Sequence, residues 1–331
     1  MKHIISLGEI LIDVIPSGQL RLGEACYSPH PGGAPANVAV AIARLGGSSR
    51  FIGGVSGDEF GRLLMLVLTD NRVDTRYVHV IKGAPTAVAL VTLQADGQRQ
   101  FTFFREGTAD IQLRAGDLDW SAWHDAAICH VGSVLLSVEP ARSATLAAIE
   151  HTRRVGSIVS CDVNVRPALW SSHDDIRDTL AKIVKSTDLL KLSAEEAQFM
   201  GAYGSSPTEH LDRNWLNTLG EALLGRGPSL VIITLGAQGA LLLTAKHRVE
   251  VPAPSVRPVD TTGAGDAFMG AVLYKLVQQG CKVPADLQQL SEPDLSDLGS
   301  FANRVAGLSC TRYGGISSLP FMYEVDSFSV S

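Results

Sequence analysis

The stretch Asp260-Thr261-Thr262-Gly263-Ala264-Gly265-Asp266-Ala267-Phe268 sets two carboxylates around a glycine-rich loop. An apolar helical pattern follows at once, through Ala267, Phe268, Ala271, Val272 and Leu276, and Gly280 stands where such a helix would stop. Gly263 and Gly265 let the backbone come close to a ligand. The unpaired N–H groups of a helix's first turn point into the same space, which makes an anion site suited to a phosphate or to the charge growing on one during transfer. Asp266 falls in that first turn. A carboxylate there would repel a bound phosphate, so it reads better as a base that takes a proton from a hydroxyl attacking the phosphate. The plainer reading of a lone Gly-x-Gly-Asp is an Asp placed to suit the helix dipole.

A second string, Pro31-Gly32-Gly33-Ala34-Pro35-Ala36-Asn37, again brings backbone close to a ligand. Asn37 is expected to open a helix over 38–45 that ends at Gly46-Gly47. With Gly-Gly-Val-Ser-Gly-Asp-Glu-Phe-Gly at 53–61, it resembles the N-terminal signature of the ribokinase-like (PfkB) carbohydrate kinases, and 260–268 resembles their C-terminal signature. The likeness covers nearly the whole chain. Asp162-Val163-Asn164-Val165-Arg166-Pro167, with Trp170 nearby, resembles the Asp-x-Asn-x-Arg…Trp segment of fructokinases, and Lys191-Leu192-Ser193-Ala194-Glu195-Glu196 their Lys-x-Ser-x-Glu-Glu element. Thr234-Leu235-Gly236-Ala237-Gln238-Gly239 resembles the nucleotide-side turn. Phe301-Ala302-Asn303 and Thr311-Arg312-Tyr313-Gly314-Gly315 resemble the adenine side and the loop behind it. Residues 281–300 fit the family least and are expected to form a variable surface loop with a short helix.

The resemblance implies phosphoryl transfer from ATP to a sugar hydroxyl. Asp266 would be the base, and the Gly263, Ala264 and Gly265 amides the anion hole. It points to Asp13, Gly32, Gly33, Asn37 and Arg105 for the sugar, with Asn164 and Arg166 near the sugar and phosphate ends of the cleft. Lys191, Thr234, Gly236, Gly239 and Asn303 would serve ATP. Mg²⁺ should bridge the nucleotide phosphates, with Glu196 orienting the ion and its waters. Ser193 stands where the ribokinase pattern has Asn, as it does in the fructokinase branch. By position, Asp260 and Thr262, carbonyls of the 309–314 loop (Ser309, Arg312, Gly314) and Ser318 match a K⁺ site. Fructokinase (D-fructose to D-fructose 6-phosphate) is the first reading, ahead of aminoimidazole riboside kinase and 2-keto-3-deoxygluconate kinase. Specificity among them is expected in Asp13, Arg105 and the neighbouring strand residues, because a hydrogen-bonding site rejects a substrate that lacks its hydroxyl.

These residues need a scaffold. Short apolar runs at 4–7, 127–131, 158–161, 189–192 and 230–233 alternate with helical segments such as 141–154 and 176–184. That pattern predicts an α/β fold with a mostly parallel sheet covered on both faces, ligands lying outside the carboxyl ends of its strands. The family likeness makes this a three-layer α/β/α, ribokinase-like domain of residues 1–10, 34–84 and 106–331. Residues 11–33 and 85–105 break the alternation. Thr86 to Leu93, a turn at Ala95-Asp96-Gly97-Gln98, and Gln100 to Phe104 read as a hairpin. Both regions are expected to form one small β-sheet, a lid over the substrate or a clasp for a homodimer.

Composition removes other classes. The 331 residues carry a net charge of −6 from 34 acidic and 28 basic side chains, with no basic block to attract nucleic acid. The 45% of apolar residues suffices for a large core. The charge-free stretch 227–245 reads as two β runs around Gly236–Gly239 rather than a membrane span. Five cysteines, none spaced Cys-x-x-Cys, suggest no disulfide framework or zinc site, and with no leader-like N-terminus the expected location is the cytoplasm. No Gly-Lys-Ser/Thr string supports a P-loop, and Phe268 occupies the third glycine position of a dinucleotide fingerprint. A non-enzymatic sugar-binding or regulatory protein would keep Asn37 and the small sheet but has no need of Asp266.

Overall fold

Strands that are apolar at every position need cover on both faces. The computed structural model describes residues 2–17, 26–93, 99–203 and 212–328, and it supplies that cover. Among the described residues, eight strands form one sheet. Their spatial order is Ser49–Ile52, His3–Leu7, Ala126–Gly132, Ile158–Asp162, Leu189–Ser193, Leu230–Thr234, Ala240–Leu243 and Arg248–Val251. The first six run parallel, and the last two are antiparallel additions. Successive side chains go to opposite faces. Ile4, Ile128, Ile158 and Leu189 pack with helices Ala34–Arg44, Ala264–Gln278 and Glu292–Ser309. Their neighbours Ile5, Cys129, Val159 and Leu190 pack with Ala141–Arg154, His173–Val184 and Arg213–Leu224.

The stretch 227–245 is indeed a hairpin: Thr234 pairs with Ala240 across a single 3₁₀ turn, Gly236–Gln238. No described helix is long and apolar enough to cross a membrane.

The smaller sheet has the order Tyr27–Gly32, Leu11–Pro16, Val88–Leu93, Arg99–Phe104. Its outer pairs are antiparallel and its central pair parallel. The expected hairpin is present as a strand pair, while its turn at 95–98 lies outside the described residues.

Two expectations need correction. The first helix begins at Ala34, not beyond Asn37, because Gly33 (φ 105°) turns the chain and Pro35 suits a first turn. Asn37 therefore does not cap, and its amide is free for other work. Residues 281–300 are not mainly loop. A short helix, Pro284–Leu287, is followed by the 18-residue Glu292–Ser309. Ser291 caps it, accepting from the Asp294 amide (3.4 Å), while the Asp294 carboxylate accepts from the Ser291 amide (2.9 Å). The proline and acids that suggested a loop are helix-start residues.

Candidate active site

Two helix N-termini meet beyond the carboxyl edge of the large sheet. Gly270 lets them approach: a Cβ there would lie 2.5 Å from Ala41 Cβ. The close packing brings Asn37 of one helix to Asp266 of the other, and Asn37 Nδ2 donates to Asp266 Oδ2 at 2.7 Å. Asp266 lies in the first turn of Ala264–Gln278, as its spacing implied. Burial among the cleft walls raises its carboxyl to about 6. The Asn37 hydrogen bond opposes that rise, the Asp162 charge adds to it, and the Lys191 and Arg166 charges oppose it.

Gly263 caps this helix in the left-handed region (φ 75°), and a Cβ there would sit 3.2 Å from Gly315 Cα. The Ala264 amide donates to Thr261 O (3.2 Å), and the Ala267 amide closes the turn on Gly263 O (2.8 Å). The Gly265 and Asp266 amides make no hydrogen bond to described residues, so the anion-binding capacity of this turn rests on them more than on Ala264.

Behind the turn lies a buried ion pair. Lys191 Nζ donates to Asp162 Oδ2 at 2.7 Å, and the two residues are register partners on adjacent parallel strands. Burial alone would lower the Lys191 pKa, but the charges of Asp162, Glu196 and Asp266 outweigh it and raise it, so the ammonium stays charged. A Cβ on Gly265 would stand 3.3 Å from that Nζ, so the cation reaches the anion-binding turn. Glu196 is tied down: its Oε1 accepts from the Val165 amide (2.7 Å) and its Oε2 from the Ser193 amide (2.8 Å). Ser193 Oγ in turn accepts from the Glu196 amide (3.1 Å), which explains a serine at that position. Glu195 is exposed.

Two cavities flank these groups. One of about 310 Å³ is lined by Glu9, Asp13, Gly33, Asn37, Asp266 and, from the small sheet, Phe101 and Phe103. The other, about 650 Å³, is lined by Glu196, Thr234, Gly236, Gly239, Phe268 and Asn303. Asn164, Arg166, Lys191, Thr261 and Gly265 line both, so the cavities meet at the anion-binding turn. Asn164 takes φ 34° there, a conformation asparagine tolerates better than most residues.

The other expected residues fall around this frame. Gly32 stands behind Asp13: a Cβ would lie 2.1 Å from Asp13 Oδ2. Arg105 is buried beside the smaller cavity, its Nε donating to Asp110 (2.6 Å) and its Nη1 to the Val134 carbonyl (3.3 Å). Asn303 spends its amide donors on the carbonyls of Val251 (3.0 Å) and Pro252 (3.2 Å), so it braces the wall of the larger cavity. The Asp260 carboxylate accepts from the Thr262 and Gly314 amides (2.7 and 2.9 Å), and Thr262 Oγ1 is buried without a partner. Ser309 and Ser318 donate to the Ala306 and Gly315 carbonyls (2.8 and 2.9 Å). The Arg312 side chain turns away to Glu324 (2.5 Å). Sequence reasoning gave no role to Glu9, Asp162, Phe101 or Phe103. Position at the ends of strands was the available signal for Glu9 and Asp162.

The profile of the pfkB family carbohydrate kinases matches residues 1–322. The chain is 40% identical to fructokinase-1 of Oryza sativa subsp. japonica over 324 residues, covering 97% of this chain and 96% of that one. It superposes on an ATP-bound fructokinase from Xylella fastidiosa with a TM-score of 0.89, at 31% identity, over 98% of this chain and 97% of that one. A Vibrio cholerae O395 fructokinase double mutant with fructose, ADP and potassium ion bound gives 0.85, at 36% identity, over 99% and 98%.

Proposed function

The chain belongs to the pfkB family of carbohydrate kinases, and from that premise we propose that it is an ATP-dependent fructokinase forming D-fructose 6-phosphate. The observation that carries this reading is the junction of the two cavities at the anion-binding turn, with Asp266 on the side of the smaller one. A sugar-sized space and a nucleotide-sized space share five residues, and the shared residues include two cations, Lys191 and Arg166.

In this reading fructose occupies the smaller cavity, its hydroxyls held by Asp13 and Asn37 and its apolar faces against Phe101 and Phe103. Asp266 takes the proton of the 6-hydroxyl as that oxygen attacks the γ-phosphorus of ATP, and the bond to the ADP oxygen breaks. A base so placed contributes about 10²- to 10⁴-fold. The Gly265 and Asp266 amides, with Lys191 and Arg166, meet the charge that builds on the transferring group. Thr234, Gly236, Gly239 and Asn303 shape the wall for the nucleotide. The small sheet acts as a cover that keeps water from the phosphoryl group.

The donor set fits magnesium that arrives with the phosphates. No three His, Cys, Asp or Glu side chains among the described residues converge on one point, and Glu196 gives both oxygens to amides. Glu196, on the wall of the larger cavity, and the unpartnered Oδ1 of Asp162 would hold the ion's waters. When bound, magnesium neutralises phosphate charge. The buried, unpartnered hydroxyl of Thr262 beside the Asp260 carboxylate likewise fits a monovalent cation, which would steady the anion-binding turn.

The test is ADP release with Mg-ATP over a panel of D-fructose, aminoimidazole riboside, 2-keto-3-deoxygluconate, ribose and glucose, with the product identified by phosphorus NMR. Fructose 6-phosphate as the dominant product is the expected result. Preference for another member would keep the chemistry and replace the substrate. Binding of sugar with no turnover anywhere would favour a sugar-binding protein. Repeating the fructose assay with tetramethylammonium in place of potassium tests the cation: a several-fold loss is expected, and equal rates would remove it from the account.

A further inference from the structure

Glu9 stands directly beyond strand His3–Leu7, where the chain leaves the large sheet for the small one. It is 3% exposed, yet it lines the smaller cavity together with Asp13, Asn37 and Asp266. One carboxylate oxygen is accounted for: Oε1 accepts from the Ala34 amide at 3.2 Å, the first amide of helix Ala34–Arg44. The other, Oε2, is buried with no hydrogen-bond partner. A buried carboxylate oxygen left unpaired is costly, and a native fold keeps one where something else completes it. Close by, Arg105 is in the matching state, with Nη2 buried and unpartnered. The charged groups around Glu9 are Arg105, Asp110 and Asp266. Burial holds its carboxyl up at about 7, while Arg105 pulls it down.

We infer that Glu9 is a further sugar-binding residue, with Oε2 accepting a hydroxyl hydrogen from the sugar that Asp266 deprotonates elsewhere. The inference rests on the kinase reading above and adds a residue to its sugar site. The geometry suits a polyol, whose hydroxyls can donate to Glu9 while accepting from a neighbouring cation. It does not suit an anionic group, which Glu9, Asp13 and Asp266 would all repel. Gly33 shares in the arrangement, since a Cβ there would lie 2.6 Å from the Glu9 carbonyl oxygen.

Glu9→Gln separates a ligand role from a structural one. The Ala34 amide still needs an acceptor, so the Gln oxygen faces it and the Gln NH₂ replaces Oε2. The cap survives, but the acceptor offered to the sugar becomes a donor. The expected result is a rise of at least tenfold in KM for D-fructose, with kcat within about threefold and KM for ATP unchanged. An unchanged fructose KM in a folded variant overturns the inference and leaves the kinase reading intact. If the wild type neither binds nor phosphorylates fructose, the reading fails and takes the inference with it. Should Glu9→Gln fail to fold, Glu9→Asp decides: the shorter side chain draws the carboxylate back from the cavity, so KM for D-fructose should rise at least fivefold, whereas an unchanged fructose KM in that variant overturns the proposal.

Discussion

As the proposed base, Asp266 must be ionised to act, and its surroundings make ionisation harder than for an ordinary carboxyl. With its pKa raised to about 6, kcat/KM for fructose should fall about tenfold per pH unit on the acid side of that value. An acid limb near pH 4 would mean that the cleft does not crowd the carboxylate. Asn37 donates to the charged form and so favours it. Asn37→Ala should therefore move the limb to higher pH as well as weaken sugar binding, and an unmoved limb would count against the hydrogen bond. These two residues were legible because each sits in a distinctive glycine-rich string, although 229 positions separate them. Their direct bond was not legible, since Asn37 at a helix start reads as a cap. Glu9 was given no role: its place just beyond the first strand is a signal shared by every strand end, and only the convergence of two sheets shows that it is buried beside a cavity.

The helices hold this geometry through a contact that leaves no room for a side chain. Gly270→Ala would put a methyl group 2.5 Å from Ala41 Cβ. Overpacking of that kind costs about 1–3 kcal/mol, a loss of a few degrees in Tm for a domain of this size. Spreading the helices would also draw Asn37 from Asp266, so the acid limb should rise with the fall in Tm. A variant with unaltered Tm and pH profile would show that the helices are not held by this contact. The elements legible in the sequence were those buried on both faces, such as Leu189–Ser193, whose apolar runs admit little else. Ser49–Ile52 was missed because Arg50 interrupts it. That guanidinium is buried and satisfied by Asp74 and by the carbonyls of Ala122 (2.6 Å) and His124 (3.0 Å). Arg248–Val251, at the sheet edge, was hidden by its charged outward residues.

The two sheets divide the work of the whole molecule. In the proposed reading the large one carries the catalytic turn and the cations, and one face of the small one presents Phe101 and Phe103 to the smaller cavity, where the sugar would sit. Its other face carries Phe104, 58% exposed, beside Val88 in the strand register. Ile12, Val14 and Val88 of that face pack against the chain's own core, and we propose that a second copy's small sheet covers its exposed Phe104 edge. Sedimentation velocity should show a wild-type dimer and a Phe104→Glu monomer, whereas a monomeric wild type would contradict the clasp. Asp266 stands at the meeting of the two cavities, and steady-state ADP release with Mg-ATP and fructose, comparing wild type with Asp266→Asn at pH 8, tests its role as the base. The folded carboxyl holds its proton more tightly than the unfolded one, so ionisation between pH 3.8 and about 6 removes stability. The amide variant should thus be at least as stable as the wild type at pH 8. It should bind ATP and fructose normally yet turn over at least about 100-fold more slowly. Turnover within a few-fold of wild type would contradict the assignment of Asp266 as the base.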